Sequence, residues 1–341
     1  MPLSLESESH VAQRDIIVIG ASAGGVSALR EIAKGLPQDL PAAVFVVLHV
    51  GAFASNLPRI LNARGGLPAR HPEDGERIER GNIYVAPPDR HLLLDGERIR
   101  LVRGPKENFS RPAIGPLFRS AAVAFGPRVI AVILTGYLND GAAGLRAVKR
   151  RGGIAVVQDP EDALCPDMPR NAQEYARVDH TLPLAQIAPT LEQLTMTPIK
   201  PDDNTPVPEK LAIESAIALS GESSIEDMDK LGIPSPLSCP HCGGPVWRID
   251  DGDLTRFRCH TGHAFTSETL ATAQHEECEN ALWAAVRSLE QQAHLSRLVA
   301  KRARDQGKDT IAQSHEAEAE ASTQHVNALR DILRAGEPPS E

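Results

Sequence analysis

The 341-residue chain carries 36 basic and 45 acidic side chains, for a formal net charge of −9, and is 41% hydrophobic and 24% charged. That composition excludes a fibrous or wholly disordered chain, and the length suggests one large domain plus a smaller module. The acid excess lies after residue 199, where 14 basic residues face 24 acidic ones; this argues against nucleic-acid binding by bulk electrostatics, which clustered Lys and Arg drive.

No apolar run approaches the ~20 residues of a membrane span. The opening MPLSLESESH has neither the basic nor the apolar segment of a secretory signal. A cytoplasmic protein without membrane insertion is expected.

From Asp15, short β-branched runs alternate with amphipathic segments. IIVIG at 16–20 and VFVVLH at 44–49 read as buried parallel strands, with a helix from about Gly25 to Lys34 between them. NIYVA at 82–86, VIAVIL at 129–134 and IAVVQ at 154–158 continue the pattern, the last two separated by a Gly- and Ala-rich helix beginning near Asp140. This is the rhythm of a doubly wound, mostly parallel α/β sheet. HLLLD at 91–95 and RIRLV at 98–102, joined by Gly96-Glu97, read as an inserted β-hairpin. A helix around 184–195 should close the domain, which is bounded at 14–196.

Residues 197–236 are expected to be a mostly disordered linker, because PIKPDDNTPVP at 198–208 is rich in Pro and Asp; a weak helix is expected at 209–219. Residues 237–266 form a Cys/His module resembling a zinc ribbon. Residues 267–335 contain two helical stretches interrupted near Gly307, with Leu282, Val286, Leu289 and Ala293 on one face of the first and Val326, Leu329 and Leu333 sharing a face of the second. A helical hairpin follows from that pattern.

Gly20-Ala21-Ser22-Ala23-Gly24-Gly25 lies where the first strand should turn into the first helix, with the G-x-S-x-G spacing of a nucleophile elbow. A dinucleotide-binding loop would need glycine at position 22, and a plain helix-capping serine remains a competing reading. A serine nucleophile needs a base and the base an orienting acid. His49 ends the second strand, and Asp140, in LTGYLNDGAAGL at 134–145, opens a helix after another buried strand. Taken alone, the histidine reads as structural and the aspartate as a helix cap. Together the three residue types fall at the carboxyl ends of strands, where open α/β sheets place their sites. Their chain order, Ser then His then Asp, argues against the α/β-hydrolase family.

IGASAGG at 19–25, VVLH at 46–49, ENFSRPAIGPLFRSAA at 107–122, ILTGYLNDGAAGL at 133–145 and VVQDPEDALCPDMPRNA at 156–172 resemble the catalytic domain of CheB-type protein-glutamate methylesterases, over about 15–195. The resemblance implies hydrolysis of glutamate methyl esters on chemoreceptors or receptor-like proteins, with glutamine deamidation in some members. It implies Ser22 as nucleophile, His49 as general base then acid, Asp140 as orienting carboxylate, and no catalytic cofactor. Backbone amides near Ala23 or in Gly136-Tyr137-Leu138 are candidates for the oxyanion hole.

The sequence departs from the family's usual pattern at Ala23, at Tyr137-Leu138 and at Leu48. It also has only 14 residues before the first strand, where these enzymes commonly carry a phosphorylatable receiver domain. Control by phosphorylation in cis is therefore expected to be absent, with the C-terminal region engaging a signalling partner instead. A non-catalytic adaptor and a small-ester hydrolase or amidase of the same fold are the alternatives.

Five cysteines in a chain without a secretion signal disfavour a disulfide framework. Cys239 and Cys242, then Cys259 and His263, offer four ligands in two close pairs, the arrangement of a closed, structural tetrahedral zinc site. His241 and His260 are alternatives for the histidine ligand, whereas Cys165 and Cys278 suit a reduced apolar core. Asp250, Asp251 and Asp253 beside the site argue for a protein partner and against nucleic acid.

Overall fold

A computed structural model describes residues 13–50, 54–199 and 205–335. In chain order the first part runs β1 (Ile16–Ala21), α1 (Gly25–Gly35), β2 (Ala43–Leu48), α2 (Leu57–Asn62), β3 (Ala69–Arg70), β4 (Ile83–Val85), β5 (His91–Asp95), β6 (Arg98–Val102), α3 (Ile114–Phe125), β7 (Val129–Ile133), α4 (Ala142–Arg150), β8 (Ile154–Gln158), α5 (Asp167–Tyr175), β9 (His180–Leu182) and α6 (Leu184–Met196). Seven strands form one parallel sheet in the order β3-β4-β2-β1-β7-β8-β9, while β5 and β6 form the separate antiparallel hairpin. The expected α/β sheet with an inserted hairpin is the observed fold.

Both faces of the sheet are buried, which is why its strands read as unbroken apolar runs. Ile16 and Val18 pack with Phe45, Tyr84, Ile114 and Phe118 on one face; Ile17 and Ile19 pack with Leu29, Ile32, Val44 and Leu191 on the other. The chain leaves β1 toward β2 on one side and returns at β7 on the other. The junction between β1 and β7 is therefore the topological switch point, where such sheets bind ligands.

The segment after the sheet contains the helix expected at 209–219 but otherwise departs from the expected disordered linker. Helices α7 (Glu209–Ser220) and α8 (Ile225–Leu231) occupy most of 205–231; residues 200–204 of the linker lie outside the described residues. Ser224 and Asp227 form a reciprocal capping box that starts α8, and Ile217, Met228 and Leu231 pack with Trp247 and Ile249. Apolar residues too sparse to suggest a core by themselves are buried here against the following sheet.

That four-stranded antiparallel sheet comprises β10 (Ile233–Ser238), β11 (Pro245–Asp251), β12 (Leu254–Cys259) and β13 (Ala264–Thr266). It belongs to one compact unit with the parallel sheet, extending to Thr269, and so is not the separate module that its spacing suggested. Buried ion pairs tie it in. Glu107 receives Arg119 of α3 at 2.7 Å and Arg258 of β12 at 3.0 Å, and Glu214 of α7 receives Arg256 of β12 at 2.7 Å. Burial pushes both carboxyls upward, but facing guanidiniums outweigh it (Arg119 and Arg258 at Glu107, Arg256 and Arg119 at Glu214) and hold each at about 2.

The second unit, from Leu270 on, contains most of α9 (Ser267–Asp305) and all of α10 (Asp309–Ala335). Gly307, at φ 72°, makes the turn between them. Ser296 to Glu318, Arg304 to Glu316 and Glu290 to Arg330 pair the helices antiparallel, with Val286, Ala293, Ala319 and Val326 buried. The expected faces and break are observed, although Cys278 is exposed and not part of a core.

Candidate active site

Ser22, His49 and Asp140 follow three neighbouring strands: Ser22 lies one residue past β1, His49 one past β2, and Asp140 between β7 and α4. The His49 N–H donates to the Ala21 carbonyl at 3.1 Å and the Ser22 N–H to the Thr135 carbonyl at 3.0 Å, so the strand ladders carry both residues to the sheet edge. There His49 Nδ1 lies 3.2 Å from Ser22 Oγ, and His49 Nε2 lies 2.9 Å from Asp140 Oδ2. An ionised Asp140 can only accept, which fixes the neutral imidazole with its proton on Nε2 and leaves Nδ1 free to accept from the serine hydroxyl.

Asp140 is buried yet well supplied with donors. Oδ2 also accepts from the Ile114 N–H at 2.7 Å; Oδ1 accepts from Gly141 N–H at 2.9 Å, Asn108 Nδ2 at 3.3 Å and Gly115 N–H at 3.4 Å. Burial would raise its pKa, but the His49 bond and charge, the Ile114 amide and Asn108 prevail and hold the carboxyl below its ordinary value. The aspartate does occupy a helix N-terminus, but that of α3 rather than the helix that follows it. Ile114 and Gly115 supply two amides that helix geometry leaves without intrahelical partners.

The turn after β1 departs from a strained nucleophile elbow. Among the described residues at this turn the left-handed backbone falls on Gly24, at φ 78°, and not on Ser22. Gly24 caps α1, whose first residue is Gly25, so the glycine-rich spacing serves the helix start while Ser22 continues the strand. Gly136 explains a second small residue: a Cβ there would lie 2.7 Å from Ser22 Cβ and 2.2 Å from Met168 Sδ.

Of the proposed oxyanion donors, Gly136 N–H is engaged with the Cys165 carbonyl at 3.0 Å. Ala23, Tyr137 and Leu138 N–H groups donate to no acceptor among the described residues. Tyr137, Leu138 and Leu164 are exposed, at 61%, 42% and 78%, and give the surface around the serine an apolar character. Leu164 lies against Gly24, and the Leu138 carbonyl is held by Asn171 Nδ2 at 2.8 Å.

No local pattern singles out Asn108 as a functional residue. Its amide is a common loop residue, and only its left-handed backbone, at φ 46°, brings the side chain to Asp140.

In the antiparallel sheet, Cys239, Cys242, Cys259 and His263 gather with their ligand atoms within 4.8 Å of one another. The Cys242 to Cys259 sulfur separation is 3.7 Å, and His263 Nδ1 is 3.7 Å from Cys239 Sγ and 3.5 Å from Cys259 Sγ. The four expected residues therefore come together as a group able to hold a metal ion. His241 instead packs edge-on against His263 and Phe265, and Cys165 is buried apart from the group.

Residues 17–191 match the family described as CheB methylesterase. A relative in Leptospira interrogans is 42% identical over 51% of this chain and 91% of its own. Protein-glutamate methylesterase/protein-glutamine glutaminase 2 of Anaeromyxobacter dehalogenans is 38% identical over 55% of each chain, so this chain spans about half of that relative's length. The crystal structure of the Thermotoga maritima CheB methylesterase catalytic domain superposes with a TM-score of 0.51 at 35% identity, covering 54% of this chain and all of that one. With the family's match extending across half of its length, this chain belongs to the CheB methylesterase family.

Proposed function

We propose that the chain is a cytoplasmic protein-glutamate methylesterase that hydrolyses glutamate methyl esters on a chemoreceptor or receptor-like protein through Ser22, His49 and Asp140. The observation that carries this reading is the continuous relay from Ser22 Oγ through the His49 ring to a buried, multiply hydrogen-bonded Asp140. A structural histidine or a simple helix cap does not require all three in line.

His49 Nδ1 takes the Ser22 proton as Oγ attacks the ester carbonyl, and the Ala23 N–H is the nearest free backbone donor in sequence to stabilise the oxyanion. Collapse of the tetrahedral adduct expels methoxide, which takes the proton back from His49 and leaves as methanol. Water then attacks the glutamyl ester of Ser22, giving its proton to His49, and glutamate is released with the serine restored. Asp140 stays ionised and stabilises the imidazolium in both halves. The same cycle on a glutamine amide would release ammonia. The exposed apolar side chains of Tyr137, Leu138 and Leu164 around the serine suit a protein surface as substrate.

The Cys/His group is a structural zinc site in this reading. Tetrahedral zinc with bonds of about 2.3 Å to sulfur and about 2.0 Å to nitrogen places its ligand atoms about 3.5–3.8 Å apart; three of the pairs lie at 3.5–3.7 Å, and all four atoms lie within 4.8 Å of one another. Four protein ligands leave no open position, so the metal would hold the β12–β13 turn and take no part in hydrolysis. The C-terminal helices are then free to engage a signalling partner.

The test is methanol release from methylated receptor preparations by the wild-type chain and Ser22→Ala, with a panel of small esters in parallel. Receptor-dependent release that disappears in Ser22→Ala supports the proposal. Release from small esters alone would redirect the substrate assignment, and folded wild type with no release from either would favour an adaptor.

A further inference from the structure

Asn108 contacts both ends of a chain of interactions that the hydrolytic scheme leaves unused. Its Nδ2 donates to Asp140 Oδ1 at 3.3 Å. Its Oδ1 accepts from the Thr266 N–H at 3.2 Å and from Thr269 Oγ1 at 3.0 Å, and its own N–H donates to the Ala264 carbonyl at 2.9 Å. A side-chain amide whose oxygen is held by two donors can present its N–H₂ in only one direction, here toward the carboxylate.

The residues holding Asn108 begin directly after the Cys/His group. His263 precedes Ala264, and β13 pairs with β12, whose last residue is Cys259. The turn between them is closed by the Cys259 N–H on the His263 carbonyl at 3.0 Å. Beside Asp140, Asn139 is held by β13 and the start of α9: its Nδ2 reaches Thr266 Oγ1 and Glu268 Oε2, each at 2.9 Å. Thr266, Thr269 and Asn139 are all buried, so water does not compete for these bonds. Glu107, next to Asn108, adds the ion pair to Arg258 of β12.

We infer that Asn108 is a positioning residue for the catalytic aspartate, and that the strand leaving the Cys/His group sets its orientation, making this module a brace on the triad. The inference rests on the triad reading above. Lateral support of this kind matters because a serine triad loses rate steeply when its acid shifts by a fraction of an ångström. Family members that lack such a module would have to support the equivalent carboxylate by other means.

The test uses the full chain carrying Asn108→Gly, which keeps the left-handed backbone accessible, and Thr269→Val, which removes one bond to Asn108 and leaves Asn108 in place. Each is compared with wild type and Ser22→Ala for kcat and KM on an activated small ester, for thermal midpoint, and for the low-field NMR resonance of the His49 Nε2 proton shared with Asp140.

For Asn108→Gly the expectation is a kcat about tenfold lower or more, the scale of one hydrogen bond to a charged group, with KM within about twofold and the His49 resonance shifted or broadened. Thr269→Val should show the same signature at smaller size. An unchanged resonance and kcat in Asn108→Gly, while Ser22→Ala is inactive, would overturn the positioning role and leave the triad standing. A normal Thr269→Val beside a defective Asn108→Gly would overturn the brace. Activity retained in Ser22→Ala would remove the triad reading on which the inference depends.

Discussion

The edge of the parallel sheet and the antiparallel Cys/His module belong to one compact unit, yet they are built on opposite terms. At the sheet edge β1 and β2 deliver Ser22 and His49 by their backbone ladders, while Asp140, in the loop after β7, is held by the first amides of α3 and by Asn108. The module shares a small core with α7 and α8 and is fastened to the sheet domain by the buried pair of Arg258 on Glu107, while Arg256 on Glu214 ties it to α7. Backbone ladders place Ser22 and His49 without side-chain partners, whereas attachment by ion pairs depends on keeping every partner.

The comparison is sharpened most strongly by Ser22→Ala. Turnover should fall about 10⁴-fold or more while the thermal midpoint stays close to wild type, because Ser22 is held by its backbone. A large loss of stability would show that the sheet edge depends on the hydroxyl after all.

Glu107→Gln should do the opposite. It leaves Arg119 and Arg258 buried without their carboxylate, and a stability loss of about 3–5 kcal/mol is expected, read as a lower denaturant midpoint. A change within experimental error would break the contrast between the two regions.

Acid should act on the same pairs. Glu107 and Glu214 titrate at about 2 in the folded chain, below the ~4.3 of an unfolded glutamate. Their contribution is present above about pH 4.5 and is lost as pH falls toward 2. Amide exchange in β12 should rise across that window relative to wild type at neutral pH, and Glu107→Gln should flatten that component of the pH dependence. A β12 protection profile that does not change between pH 5 and 2 would count against the ion-pair attachment.

The smallest effect concerns the helical unit. Gly307 sits at φ 72° with open space where a Cβ would be, so Gly307→Ala should cost only the left-handed backbone, about 1–2 kcal/mol. Thermal denaturation of α9 and α10 should register that loss while esterase activity is unchanged.

The same contrast decided what the sequence made legible. The strands of the parallel sheet were readable because burial on both faces writes unbroken apolar runs, and the triad residues because they sit at the ends of those runs. Cysteine spacing likewise picked out the four residues that gather as a group able to hold a metal ion. Helix α3 was not predicted: it is buried almost all round, including Arg119 and Ser120, and so lacks a polar stripe to mark its period. Beyond the helix expected at 209–219, the order of the segment up to 231 could not be seen, since it depends on Glu214 meeting Arg256 and on Trp247 covering Met228 and Leu231. Glu107 and Arg258 are 151 positions apart, and no local pattern announces such a pair. Asn108 was missed for the same reason, its function arising only where residues 264–269 fold back upon it.

The account stands or falls on whether Ser22 is an activated nucleophile. Mass spectrometry after treatment with a fluorophosphonate measures this directly, because displacement of fluoride leaves a phosphonyl group on the attacking oxygen. One adduct per chain is expected, located on Ser22, formed quickly by wild type and at least about a hundredfold more slowly by Asp140→Asn, because the triad acts as a unit. A folded wild-type chain that stays unlabelled, or is labelled elsewhere, would contradict it.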